Sequence, residues 1–127
     1  MENETMEVFS AAHDAASMKK PRLEALLSPE MNPVRVGLRL TAMRETLGLS
    51  KAQLADSVGL DRSALTRIEK GEEGLSITKA ALIADLYDFG LNYLYRANVQ
   101  DTPSSLRHQL LAELHKLRSL PPGENES

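Results

Sequence analysis

Arg62, Ser63, Thr66 and Arg67 recur at spacings that put them on the outer side of a short helix, with Leu65 and Ile68 turned the other way. All four outward side chains carry hydrogen-bond donors long enough to reach base edges. The chemistry this pattern points to is recognition through hydrogen bonds rather than the making or breaking of covalent bonds.

No other constellation in the chain competes with it. There is no cysteine, which excludes a disulfide framework, a thiolate metal site and a cysteine nucleophile. His13, His108 and His115 lack metal-ligand spacing, and His108 and His115 stand seven residues apart. The serines lack a His–Asp partner pattern, and there is no glycine-rich phosphate loop. No catalytic, metal or cofactor role is expected, and the expectation is a non-enzyme.

Elements able to position the four donors flank them closely. Ser50 can cap a helix, with Gln53 three residues later completing a capping box. Leu54, Ala55 and Val58 then fall on one helical face. Gly59 suits a backbone turn that needs positive φ, and Asp61 can cap the next helix. Gly71 ends that helix. Two helices this short can cross steeply only if the crossing residue is small, and Ala55 is.

The run KAQLADSVGLDRSALTRIEK, with GLRLTAMRETLGLS before it and LIADLYDFGLNYLY after it, resembles the helix-turn-helix of the Xre/Cro family of bacterial and phage DNA-binding regulators. The likeness extends over about Val36 to Tyr95. It implies a five-helix, lambda-repressor-like all-α domain in which the helix beginning at Arg62 enters the major groove. By that resemblance Arg62 and Arg67 are the main base-reading residues, since arginine pairs best with guanine, and Ser63 and Thr66 reach a base or a phosphate. Lys51 stands where family members often carry Gln, and implies a point-charge phosphate contact. Lys70 and Arg39 are further phosphate candidates. An Arg late in the first helix pairs with a Glu near the end of the third in many members, which implies a structural ion pair between Arg44 and Glu69. Glu72 and Glu73 depart from the family pattern. Two carboxylates would repel phosphate, so their loop is expected to point away from DNA or to offer only its backbone.

Charge is distributed unevenly. The formal net charge of the 127 residues is −3. Residues 34–97 nevertheless hold nine basic and eight acidic groups. Such a shallow excess implies modest non-specific affinity and a greater reliance on base contacts and dimerisation. The first residues, MENETMEVFS, show no basic start followed by an apolar stretch, and no apolar run approaches the ~18 residues of a membrane span. No membrane partner is expected, and the reading is cytoplasmic.

The expected organisation is an N-terminal extension over 1–32, partly disordered or in short helices, the domain over 33–97, a helix over 104–120 and a disordered tail over 121–127. Asn32 and Pro33 open the first helix, with Val36, Leu40, Met43 and Leu47 inward. A fourth helix is expected to turn Ile77, Ala81, Leu82, Leu86 and Tyr87 inward and to end at Gly90. Asn92 is expected to cap a fifth. In the last helix Leu106, Leu110, Leu114 and Leu117 make an amphipathic stripe, expected to form a homodimer interface. The functional expectation is a homodimeric transcriptional regulator, most simply a repressor, on a palindromic double-stranded operator. The alternative is a protein-interaction module such as an antitoxin-like partner.

Overall fold

The computed structural model of the protein describes residues 28–119. The expectations for 1–27 and 120–127 lie outside the described residues. A single 3-10 turn over Pro29–Met31 leads into α1 (Pro33–Leu47), followed by α2 (Lys51–Ser57), α3 (Arg62–Lys70), α4 (Ile77–Tyr87) and α5 (Leu91–Arg96). A second 3-10 turn, Ser104–Leu106, runs into α6 (Arg107–Ser119). The described residues are all-α, as the resemblance implied.

Local chemistry accounts for most boundaries. The Asn32 side chain accepts from the Val34 N–H at 2.8 Å, and Pro33 occupies a helical position that needs no donor. Gly48 and Gly71 close α1 and α3 in the left-handed conformation. Asp61 sits at the N-cap of α3, but its side chain makes no capping bond.

α1 is the central element and packs against α3, α5 and α6. Val36, Leu40 and Met43 are buried there with Leu54, Leu65, Ile68, Ile83, Tyr93 and Leu94. The Phe89 and Tyr93 rings meet edge-on with centroids 5.6 Å apart.

Three expectations about the later helices need correction. In α4 the buried residues are Ala80 and Ile83, while Ile77, Ala81, Leu82 and Leu86 are exposed. The stretch is apolar on nearly every side, so hydrophobic spacing could not choose the inner face. At its end Asp88, not Gly90, adopts the left-handed cap at φ 67. Gly90 instead is the N-cap of α5, in place of the expected Asn92, which lies inside the helix and whose N–H donates to the Asp101 carboxylate at 3.1 Å. A Cβ on Gly90 would collide with that carboxylate.

The third correction concerns the last helix. Leu110, Leu114 and Leu117 are buried inside the subunit, and Leu106 is half-buried against the same core. α6 lies along α1. The stripe therefore completes the core of its own chain and is not a free dimerisation face. Arg107 ties the approach to α6 by donating to the carbonyls of Gln100 at 3.2 Å and Thr102 at 2.8 Å.

Candidate nucleic-acid interface

The unit formed by α2, its turn and α3 is built from bonds on both its sides. Ser50 Oγ accepts from the Gln53 N–H at 3.0 Å, and Gln53 Oε1 accepts from the Ser50 N–H at 2.8 Å, closing the capping box. Gly59 takes φ 70, and the Leu60 N–H returns to the Ala55 carbonyl at 2.8 Å. Ala55, Leu65 and Ile68 are buried at the crossing.

α4 braces this turn from outside. Lys79 Nζ donates to the Val58 carbonyl at 2.8 Å and to the Gly59 carbonyl at 3.3 Å. An ammonium suits the carbonyl end of α2, where the peptide dipoles leave partial negative charge. Tyr87 Oη donates to Ser57 Oγ at 2.7 Å. Sequence reasoning gives Lys79 no role and places Tyr87 on the inner face of its helix without foreseeing its bond to Ser57. Each reaches a partner twenty or more positions away, and no local pattern announces such a contact.

α3 meets α1 just as closely. Arg44 Nε donates to Glu69 Oε2 at 2.8 Å and Arg44 Nη2 to Glu69 Oε1 at 3.2 Å. Arg44 Nη1 reaches the Leu49 carbonyl at 3.0 Å, so the same side chain also holds the link between α1 and α2. Gly37 is a second, unforeseen determinant. A Cβ there would collide with the backbone carbonyls of Ile68 and Glu69, so only glycine lets α1 and α3 approach this far.

The outer face of α3 carries Arg62, Ser63 and Arg67 exposed and Thr66 half-buried. Thr66 Oγ1 donates to the Arg62 carbonyl at 3.1 Å, so its hydroxyl proton is engaged within the helix and its oxygen is left to accept. Arg62 Nη2 lies 3.2 Å from Asp56 Oδ2, and Arg67 Nε lies 2.9 Å from Glu73 Oε1. The loop acids therefore do not simply turn away from α3, since Glu73 leans back onto it. Lys51 opens α2, half-exposed, and Lys70 ends α3, exposed.

Arg39 is not part of this surface. Its side chain is 3% exposed and donates to the Leu94 carbonyl at 2.5 Å and to the Glu30 carbonyl at 2.8 Å, with the Glu30 carboxylate as a further acceptor. Burial lowers its pKa, and the Glu30 charge opposes that shift. Arg39 caps the carbonyl end of α5 and cannot reach a phosphate from there. Its spacing on α1 was compatible with either fate, and only packing assigned it to the interior.

Among the described residues no three His, Cys, Asp or Glu side chains gather to hold a metal ion. No helix among them is long and apolar enough to cross a membrane. His108 and His115 are exposed on α6.

Residues 35–92 match the family model of a helix-turn-helix domain. The chain carries a helix-turn-helix domain. The match runs from within α1 into the start of α5, so α6 lies beyond it although it shares the domain's core. Over 52 residues, 41% of its length, the chain is 38% identical to a candidate HTH-type transcriptional regulatory protein of Pyrococcus furiosus. That stretch covers 16% of the archaeal protein. No solved structure matches the chain.

Proposed function

We propose that the protein is an Xre/Cro-type regulator that binds a specific double-stranded DNA sequence as a homodimer and represses transcription in the cytoplasm by occluding a promoter. The observation that carries this reading is the outer face of α3, where Arg62, Ser63 and Arg67 stand exposed on a helix that α1 braces directly and that follows a turn braced from α4. An α-helix of this kind fits the major groove, and arginine reads guanine there through two bonds. Lys51 and Lys70 would contact phosphates.

A single helix of this length reads too few base pairs to find one site in a genome, so two-fold pairing is physically expected. With the α6 leucines taken up by the core, the surface we assign to that pairing is Leu82 and Leu86, one turn apart on α4, together with Leu91 at the start of α5. All three are exposed. The rival reading, a protein-interaction module, rested on the leucine-rich last helix as a docking face, and that face is buried within the chain.

The test is selection from random duplex DNA by the purified full chain, paired with sedimentation. The expected result is an enriched inverted repeat and a dimer that Leu86→Lys dissociates. Recovery of no preferred sequence would refute base reading. A stoichiometric protein partner captured without any DNA preference would favour the rival.

A further inference from the structure

We propose that Glu73 is a positioning residue for Arg67, holding its guanidinium so that the two terminal nitrogens face a guanine. The proposal rests on α3 being the DNA-reading helix and deepens that reading by naming what sets its specificity.

The nitrogen that Glu73 engages sets the orientation of the guanidinium. Glu73 Oε1 accepts from Arg67 Nε at 2.9 Å. Nε lies on the side edge of the guanidinium, so this bond leaves the terminal fork of Nη1 and Nη2 available. That fork matches the O6 and N7 acceptors of guanine. The contrast with Arg62 is informative. Asp56 engages a terminal nitrogen of Arg62, Nη2, at 3.2 Å, and this pair is the more exposed of the two. Of the two arginines, Arg67 is thus the one held with its fork open.

The carboxylate sits in a fixed loop. Gly71 precedes it in the left-handed conformation at φ 82, packed so closely on Val34 that a Cβ would collide with that residue. Leu75 follows, buried, with its carbonyl accepting from Tyr95 Oη at 2.7 Å. Glu73 therefore spans two anchored points and presents its oxygen from a defined place. A flexible arginine held in advance loses less freedom when it docks on a base.

A carboxylate at this surface has a cost on every DNA sequence, because it repels phosphate. The 34–97 segment has little positive charge to spare. Charge alone therefore disfavours an acid here, whereas positioning gives it a function that shows only in discrimination.

Two substitutions separate the possibilities. Glu73→Gln removes the charge and keeps an oxygen that can accept from Nε, while Glu73→Ala removes both. Each full-length variant is assayed on the sequence selected by the parent protein, on that sequence with the Arg67-dependent guanine replaced, and on random DNA. Matched thermal melts check that both are folded. Both variants should bind random DNA several-fold more tightly. Glu73→Ala should lose about tenfold discrimination at the one guanine, the worth of a bidentate contact, and Glu73→Gln should retain most of it. In an Arg67→Ala background neither substitution should alter the ratio. Equal gains on all three DNAs with the ratio unchanged in both variants would overturn the proposal and leave Glu73 a purely repulsive charge. If the parent protein selects no sequence at all, the DNA-reading premise itself fails, a result distinct from any shift between variants.

Discussion

Arg44 and Glu69 meet side-on, with Nε and Nη2 of the arginine donating to the two carboxylate oxygens at 2.8 and 3.2 Å. Both side chains are buried, and they join the end of α1 to the end of α3. Their value lies less in the attraction itself than in the cost of breaking it, since either charge left alone in that interior is desolvated and uncompensated. Glu69→Ala and Arg44→Ala should each destabilise the domain by about 3 kcal/mol. A double-mutant cycle by denaturant unfolding should show strong coupling. Additive effects would mean that the two charges act independently.

Gly37→Ala places a methyl group against the Ile68 and Glu69 carbonyls. In an open helix this substitution would gain about 0.5–1 kcal/mol. Here overpacking should outweigh that gain, for a net loss of about 1–2 kcal/mol. DNA affinity should fall further than stability alone accounts for, because α3 must shift away from α1. A melting temperature equal to or above the parent's would show that the two helices separate freely.

At the DNA surface the charged residues should sort into two classes. Arg67→Ala should cost ~1–3 kcal/mol on the selected sequence and relax preference at one position of each half-site. Lys51→Ala should weaken every sequence alike and lower the salt dependence by about one counterion. Binding isotherms on specific and random duplexes across a salt series distinguish them. Equal losses on both DNAs for the arginine variant would remove it from the base-reading set.

Truncation after Asp101 removes α6 and uncovers the α1 face on which Leu110, Leu114 and Leu117 lie. Burying each such leucine is worth about 1.5–3 kcal/mol, and three together rival a typical domain stability of ~5–15 kcal/mol. The truncated chain is expected to be unfolded by circular dichroism. A cooperatively folded product would mean that α1 to α5 are self-sufficient.

Tyr93 sets an alkaline limit. Its buried hydroxyl donates to the Arg39 carbonyl at 2.6 Å, and burial pushes its pKa up. The folded state thus keeps a proton that the unfolded chain releases above about pH 10. The corresponding stability is whole below that pH and is lost as pH rises toward the folded pKa. Tyr93→Phe should cost about 1 kcal/mol near neutrality and flatten the decline above pH 10, measured by urea unfolding across pH.

Where structure is decided by neighbours in the chain, the amino-acid sequence sufficed. Asn32-Pro33, the Ser50–Gln53 box and the turn at Gly59 and Gly71 rest on bonds and backbone angles that span a few residues, and so do the bounds of α1 and α3. The outward placement of Arg62, Ser63 and Arg67 follows from those bounds and the buried Leu65 and Ile68. What the tertiary structure alone decided was the fate of side chains whose patterns allow two surroundings. Arg39 could have faced solvent or capped α5, and the α6 stripe could have met a second subunit or α1. The apolar residues of α4 offered more than one face, and an exposed Glu73 could have turned from Arg67 or toward it. Each choice depends on contacts between residues far apart in sequence. Such contacts are set by the shape of the whole core, and periodicity within one helix carries no record of them.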